Sequence, residues 1–144
     1  MTKERLMASQ SVTSWQGDAT NGYDTPTGVI APSSGMAVKK FGRTSGLTKG
    51  KVEALINTPF PVPYKCRFFS ATVWFHEVWT VKADQGNHFA LPGDSGSLVV
   101  TDDASRSVGV VFAASPNGEY GFIVPMDRVV TLLGGLRLVG HHGV

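Results

Sequence analysis

An all-β domain, barrel or sandwich, is the fold class this sequence predicts, and three observations predict it. From residue 36 onward, short runs rich in Val, Ile, Thr and aromatic residues recur at regular spacing. Clusters of Gly, Pro, Asn and Ser separate them, which is turn chemistry. Only one stretch, near the C-terminal end, carries a helical period.

In chain order, residues 1–35 form an irregular N-terminal arm or linker. Thr20 to Gly35 holds Asn-Gly, Asp-Thr-Pro, Pro-Thr-Gly and Pro-Ser-Ser-Gly, and Trp15 and Tyr23 are the only aromatics. The arm is expected to lie over the domain, with Trp15 folded back onto it. Ala37–Phe41 and Lys51–Ile56 read as strands on either side of Gly-Arg-Thr-Ser-Gly-Leu-Thr-Lys-Gly. Pro59, Pro61 and Pro63 exclude a central strand and leave a loop or an edge. Phe68 to Lys82 contains neither Pro nor Gly. Its odd positions Phe69, Ala71, Val73, Phe75, Trp79 and Val81 make one apolar face, so the run reads as one long strand with a bulge near His76–Glu77. Leu98–Thr101, Ser107–Ala114 and Tyr120–Val124 complete the strands. After Pro125, Met126, Val129, Val130 and Leu133 fall at i, i+3, i+4 and i+7, a short helix stopped by Gly134-Gly135. Residues 36–135 are thus the domain and residues 136–144 a tail.

Composition narrows the function classes. The chain has 144 residues, about one domain, with 13 basic against 11 acidic residues and a net charge of +2. Its basic residues are scattered apart from Lys39-Lys40 and the Lys49–Lys51 pair, so no nucleic-acid or membrane-surface partner is expected. A lone cysteine, Cys66, excludes an intrachain disulfide and suits a reducing, cytoplasmic setting. Neither a signal-peptide core nor a membrane-length apolar run is present. Adjacent histidines at the terminus, His141-His142, do not face one metal, and neither a metal nor a cofactor is expected.

The chemistry concentrates in Ala90-Leu91-Pro92-Gly93-Asp94-Ser95-Gly96-Ser97, followed by an apolar strand. A small-residue turn of this kind presents a serine hydroxyl beside a cluster of backbone N–H groups. Acyl transfer needs both, an exposed Oγ and donors aimed where an oxyanion forms. Gly93, without a Cβ, can turn its N–H toward a carbonyl beside the N–H of Ser95. Asp94 can turn inward and pin the loop, but a buried carboxylate needs a partner. A second glycine-rich stretch, Gly46-Leu47-Thr48-Lys49-Gly50-Lys51, is not a phosphate loop. Its glycines are one residue too close, and Val52 stands where Ser or Thr belongs.

Pro92-Gly93-Asp94-Ser95-Gly96-Ser97 with Leu-Val-Val after it resembles the nucleophile segment of trypsin-like, chymotrypsin-fold serine peptidases. Val38 to Val52 is similar to the opening of the second barrel in their disulfide-free, bacterial-type branch. Val108 to Ala113 resembles the strand lining the substrate cleft, and Tyr120 to Pro125 with its helix resembles the closing strand. The resemblance implies a six-stranded antiparallel Greek-key barrel, the C-terminal, serine-bearing one, with a short C-terminal helix. It implies Ser95 as nucleophile, the Gly93 and Ser95 N–H groups as oxyanion hole, and Asp94 as loop support. Phe89 falls at the base of the specificity pocket, with Ala114 and Gly121 on its walls. No carboxylate stands there, so an apolar substrate side chain is expected.

The resemblance stops short of a full catalytic set. Family members take the base histidine and its orienting aspartate from a first barrel. Here about 35 residues precede the barrel motif; they lack histidine and hold only Asp18 and Asp24 in turn-like surroundings. His76, His88, His141 and His142 match no family position, and Glu77 beside His76 points to the opposite face of a strand. Without a base a serine hydroxyl is a poor nucleophile. The expected function is therefore the C-terminal half of a serine endopeptidase, incomplete without a His/Asp-bearing first barrel in cis or in trans. The alternative is a non-catalytic barrel that binds peptides or serves assembly. Expected partners are a polypeptide substrate or peptide ligand, a first barrel, or a second copy through self-association.

Overall fold

A computed structural model describes residues 26 and 28–135. The strands are β1 (Gly28–Val29), β2 (Ala37–Gly42), β3 (Gly46–Ile56), β4 (Phe60–Lys65), β5 (Ser70–Phe75), β6 (Val78–Ala83), β7 (Leu98–Thr101), β8 (Arg106–Ala114) and β9 (Tyr120–Pro125). One helix, α1 (Met126–Leu132), follows β9 directly. Six strands pair antiparallel in the order β8-β7-β2-β3-β6-β9, and β8 pairs with β9 to close the barrel. Closure removes the sheet edges that an open sheet would leave. The path is a Greek key, because the chain leaves β6 and crosses to β7, which lies beside β2 on the far side.

Alternation of side chains fills this barrel. Val38 and Val52 point inward, as do Val81, Val99, Val111 and Ile123, all nearly or wholly buried. Burying each such side chain stabilises the fold by about 1.5–3 kcal/mol before entropy is counted. Helix α1 lies against β8 and β9, with Met126 buried and Val129 and Val130 half-buried. Leu133, the last residue of the helical stripe, is exposed.

Several elements depart from the sequence reading. Strand β3 begins at Gly46, not Lys51, because the glycine-containing segment pairs in register with β2 from Gly42↔Gly46 to Ala37↔Lys51. Pro61 and Pro63 do sit in an edge strand, β4, which among the described residues pairs only with β5. The long run from Phe68 is two strands, not one. It breaks at His76–Glu77, where Glu77 takes φ +57°, a left-handed conformation rare for a residue with a Cβ. As a result Phe69, Ala71 and Val73, expected on a buried face, are exposed on a separate β4–β5 hairpin. Of that face, Trp79 and Val81, beyond the break, pack with the barrel core, and Phe75 at the base of the hairpin stacks on Phe112 of β8. Within the segment read as an irregular arm, Gly28–Val29 pairs parallel with the start of β8. Trp15, Asp18, Tyr23, Asp24, His141 and His142 lie outside the described residues.

Candidate active site

The Greek-key crossover from β6 to β7 carries the glycine- and serine-rich turn across one end of the barrel. A long irregular connection needs anchors for its backbone polar groups. Here the main anchor is Asp94, which is buried. Its Oδ1 accepts the N–H groups of Thr44 at 2.8 Å and Ser45 at 3.1 Å. Its Oδ2 accepts the Ser45 hydroxyl at 2.5 Å and the Leu91 N–H at 2.9 Å. Lys40 Nζ completes the set, 3.3 Å from Oδ2, with neither side chain exposed. Burial pushes the Asp94 carboxyl up, but the Ser45 hydroxyl and the Leu91, Thr44 and Ser45 amides outweigh it and hold the group at about 2. Burial lowers the pKa of Lys40, an effect that Asp94 offsets only in part. The two stay a buried ion pair.

The tight hairpin between β2 and β3 is therefore the clamp of the crossover. Thr44 Oγ also donates to the Pro92 carbonyl at 2.8 Å, and Thr48 Oγ donates to the Phe89 carbonyl at 2.7 Å. On the far side, Gly96 N–H donates to Val111 at 2.7 Å and Val111 N–H to Ser97 at 3.0 Å, tying the turn to β8.

This clamping sorts the amides of the turn. Asp94 N–H donates to Leu91, Gly96 N–H to Val111, and Ser97 N–H back to Asp94. Among the described residues, nothing accepts from the N–H groups of Gly93 or Ser95. Gly93 sits at φ +102°, and a Cβ there would collide with Thr44 Oγ, so glycine is required twice over. Ser95 is exposed, and its Oγ makes one long contact, 3.4 Å to the Phe112 carbonyl on β8. An exposed hydroxyl next to two unused donors is an arrangement that can receive a carbonyl group and its developing negative charge.

Three residues expected to form a pocket come together in part. Gly121 packs against the Phe89 ring, and a Cβ there would lie 2.5 Å from it. Ala114 packs against the same core. Phe89 itself is wholly buried among the barrel valines, with Lys40 Nζ 5.7 Å from its ring centre. His76 is exposed at the break between β5 and β6, so it does not lie within a strand. Its neighbour Glu77 pairs with Arg128 on α1 at 2.6 Å. His88 is exposed before the turn, and neither described histidine hydrogen-bonds to Ser95.

No protein-family model and no curated protein sequence matches the chain. Solved structures do. A chymotrypsin from Cellulomonas bogoriensis superposes with TM-score 0.59 at 26% identity, over 78% of this chain and 54% of that one. The Nocardiopsis protease NAPase gives 0.62 at 23% identity, over 84% and 57%. Protease A of Thermobifida fusca gives 0.56 at 24% identity, over 79% and 54%. The barrel has the fold of the bacterial chymotrypsin-like serine proteases. The chain spans little more than half the length of each of these structures.

Within this chymotrypsin-like barrel, Lys40, Thr44, Ser45 and Thr48 are the site residues that sequence reasoning did not single out. The one available signal was the requirement that a buried Asp94 find a partner. Which cation answers it depends on pairing across 54 positions of sequence. Among the described residues, no three His, Cys, Asp or Glu side chains gather as a metal-binding group, and no helix is long and apolar enough to cross a membrane.

Proposed function

We propose that this chain is the serine-bearing half of a trypsin-like serine endopeptidase that cleaves peptide bonds by acyl transfer through Ser95. The observation that carries the proposal is the sorting of the turn's amides: Asp94, Gly96 and Ser97 are spent on the fold, while Gly93 and Ser95 are left over beside an exposed hydroxyl. Ser95 Oγ attacks the scissile carbonyl carbon and gives its proton to a base. The oxyanion is received by the two free N–H groups, the amine leaves with the proton, and water then hydrolyses the acyl-enzyme. Asp94 supports this geometry without touching the substrate.

The base and its orienting carboxylate are proposed to come from a first barrel, in cis or in trans. Supporting this, no described histidine reaches Ser95, and the similar proteases are nearly twice as long as the part this chain matches. The pocket is proposed to take an apolar side chain, with Ala114 and Gly121 on its walls and Phe89 at its floor, since no carboxylate stands there. A reducing, cytoplasmic setting is proposed from the single free Cys66.

Intact-mass analysis after exposure to a fluorophosphonate, with Ser95→Ala as control, tests the reading. The expected result is little labelling of the chain alone and single labelling at Ser95 once a His/Asp-bearing first barrel is supplied. A second reading, a non-catalytic barrel that binds peptides, is favoured by the lack, among the described residues, of any base partner on Ser95 Oγ. Persistent absence of labelling with the first barrel present would establish that reading over the peptidase.

A further inference from the structure

The β4–β5 hairpin stands apart from the barrel as a separate two-stranded sheet, and its two outer edges are not equivalent. Pro61 lies opposite Trp74 and Pro63 opposite Thr72. Proline has no N–H, so these are the non-hydrogen-bonded pairs, and the ladder bonds belong to Phe60↔Phe75, Val62↔Val73 and Tyr64↔Ala71. The same alternation continues into the hairpin turn, where Cys66 N–H donates to Phe69 at 2.9 Å. Two of the outward positions of β4 are thus prolines, and that edge cannot accept another strand. On β5 the outward N–H and C=O groups are those of Ser70, Thr72 and Trp74, and among the described residues nothing blocks them.

Natural proteins protect such an edge with charges, proline or a bulge. β5 has none of these: Ser70–Phe75 is uncharged and every residue up to Trp74 is exposed. Around it lie Phe68 at 87% exposure, Phe69 at 59% and Trp74 at 59%.

We propose that two copies of this chain pair antiparallel along β5, about a twofold axis through Thr72. The strand is self-complementary in that register. Thr72 pairs with the partner's Thr72, and Ser70 pairs with the partner's Trp74, so all three outward residues exchange ladder bonds. Ala71 falls opposite the partner's Val73 on the other face. Twofold pairing brings like strands together, which the lack of charge in β5 permits. Because prolines block β4, the assembly closes at two copies and makes a four-stranded sheet, not a fibre. The outward edge of β5 does not include Ser95.

Sedimentation equilibrium of the full 144-residue chain over a wide concentration range tests the dimer. The expected mass rises from 15.3 kDa to twice that value. Thr72→Pro, which removes one outward N–H and no hairpin bond, is expected to stay at the monomer mass. Hydrogen exchange on the unaltered chain gives a reading that does not depend on a variant folding. The Ser70, Thr72 and Trp74 amides should slow with concentration, while Ala71 and Val73, already bonded to β4, should not change. A chain that stays monomeric with those three amides exchanging freely overturns the proposal. So does a dimer that leaves them unprotected or that survives Thr72→Pro.

Discussion

At the scale of single residues, Asp94 and Lys40 decide how the turn is held, and the two ion pairs that lysines make nearby are worth different amounts. Lys40 and Asp94 are both buried, so removing the cation leaves a carboxylate in the interior with only neutral donors around it. Lys40→Met should lower stability by about 3 kcal/mol, read from a denaturant midpoint. Lys49→Met breaks a 2.9 Å pair with Asp102 in which both side chains are half exposed. Its cost should stay below about 1 kcal/mol. Equal losses from the two variants would mean that burial does not set the strength of the Lys40 pair.

The pH dependence follows from the same carboxyl. Asp94 titrates at about 2 in the folded chain against 3.8 for the free side chain, so the folded state binds its proton less tightly than the unfolded state. Its contribution is complete above pH ~4 and is lost as the pH falls through about 2, with a size of about 2 kcal/mol. Ser45→Ala removes one of the hydrogen bonds that lower this pKa, so the acid limb of a stability-versus-pH curve should move to higher pH. An unmoved limb would show that Ser45 does not hold the carboxyl down. Lys40 and Ser45 were not readable beforehand, because a lysine or serine in a β-type run or its turn looks like any exposed one. What could be read was the demand for a partner that a buried Asp94 imposes.

At the scale of elements, legibility follows how local the cause is. β7, β8, β9 and α1 fall within a residue or two of the sequence reading, because periodicity and flanking turns specify them locally. β3 starts five residues early since pairing with β2 recruits a glycine-rich stretch whose own propensity is poor. The sequence placed a bulge near His76–Glu77, but that the strand breaks there was hidden, because nothing in a non-glycine residue announces a positive φ. Its exposed ion pair with Arg128 belongs to the fold and is likewise invisible in a local window. The Gly-Asp-Ser-Gly turn was legible as a candidate site from its residues alone, while its orientation came from the β2–β3 hairpin. Gly93→Ala tests that dependence. Strain at φ +102° and the collision with Thr44 Oγ should together cost more than about 2 kcal/mol and slow any labelling of Ser95. Gly86→Ala, at φ +74° with open space around it, carries the strain without the collision and should cost only about 1 kcal/mol.

At the scale of the whole molecule, the barrel and the β4–β5 hairpin are two units of unequal standing. The barrel strands bond to one another in a closed ring, and its valine and isoleucine core involves no residue of the hairpin. The hairpin attaches through rings at its base. Phe75 stacks on Phe112 at 4.2 Å, and Phe60 sits 4.7 Å from Phe122 and 5.9 Å from Phe112. Aromatic pairs of this kind contribute about 0.5–1.5 kcal/mol each beyond the area they bury. Replacing residues 58–76 with a short glycine-containing turn from β3 to β6 should therefore leave a cooperatively folding barrel. Its stability should fall by about 2–4 kcal/mol, the summed worth of three ring contacts, as measured by urea titration with the Lys40–Asp94 clamp intact. Because Phe112 also supplies the carbonyl that faces Ser95 Oγ, the same variant separates two roles of β8. Unchanged access of a peptide ligand to the turn would make the hairpin a surface for association alone. Collapse of the barrel on its removal would instead make the aromatic base part of the folding core, which the separate sheet and the valine-lined interior argue against.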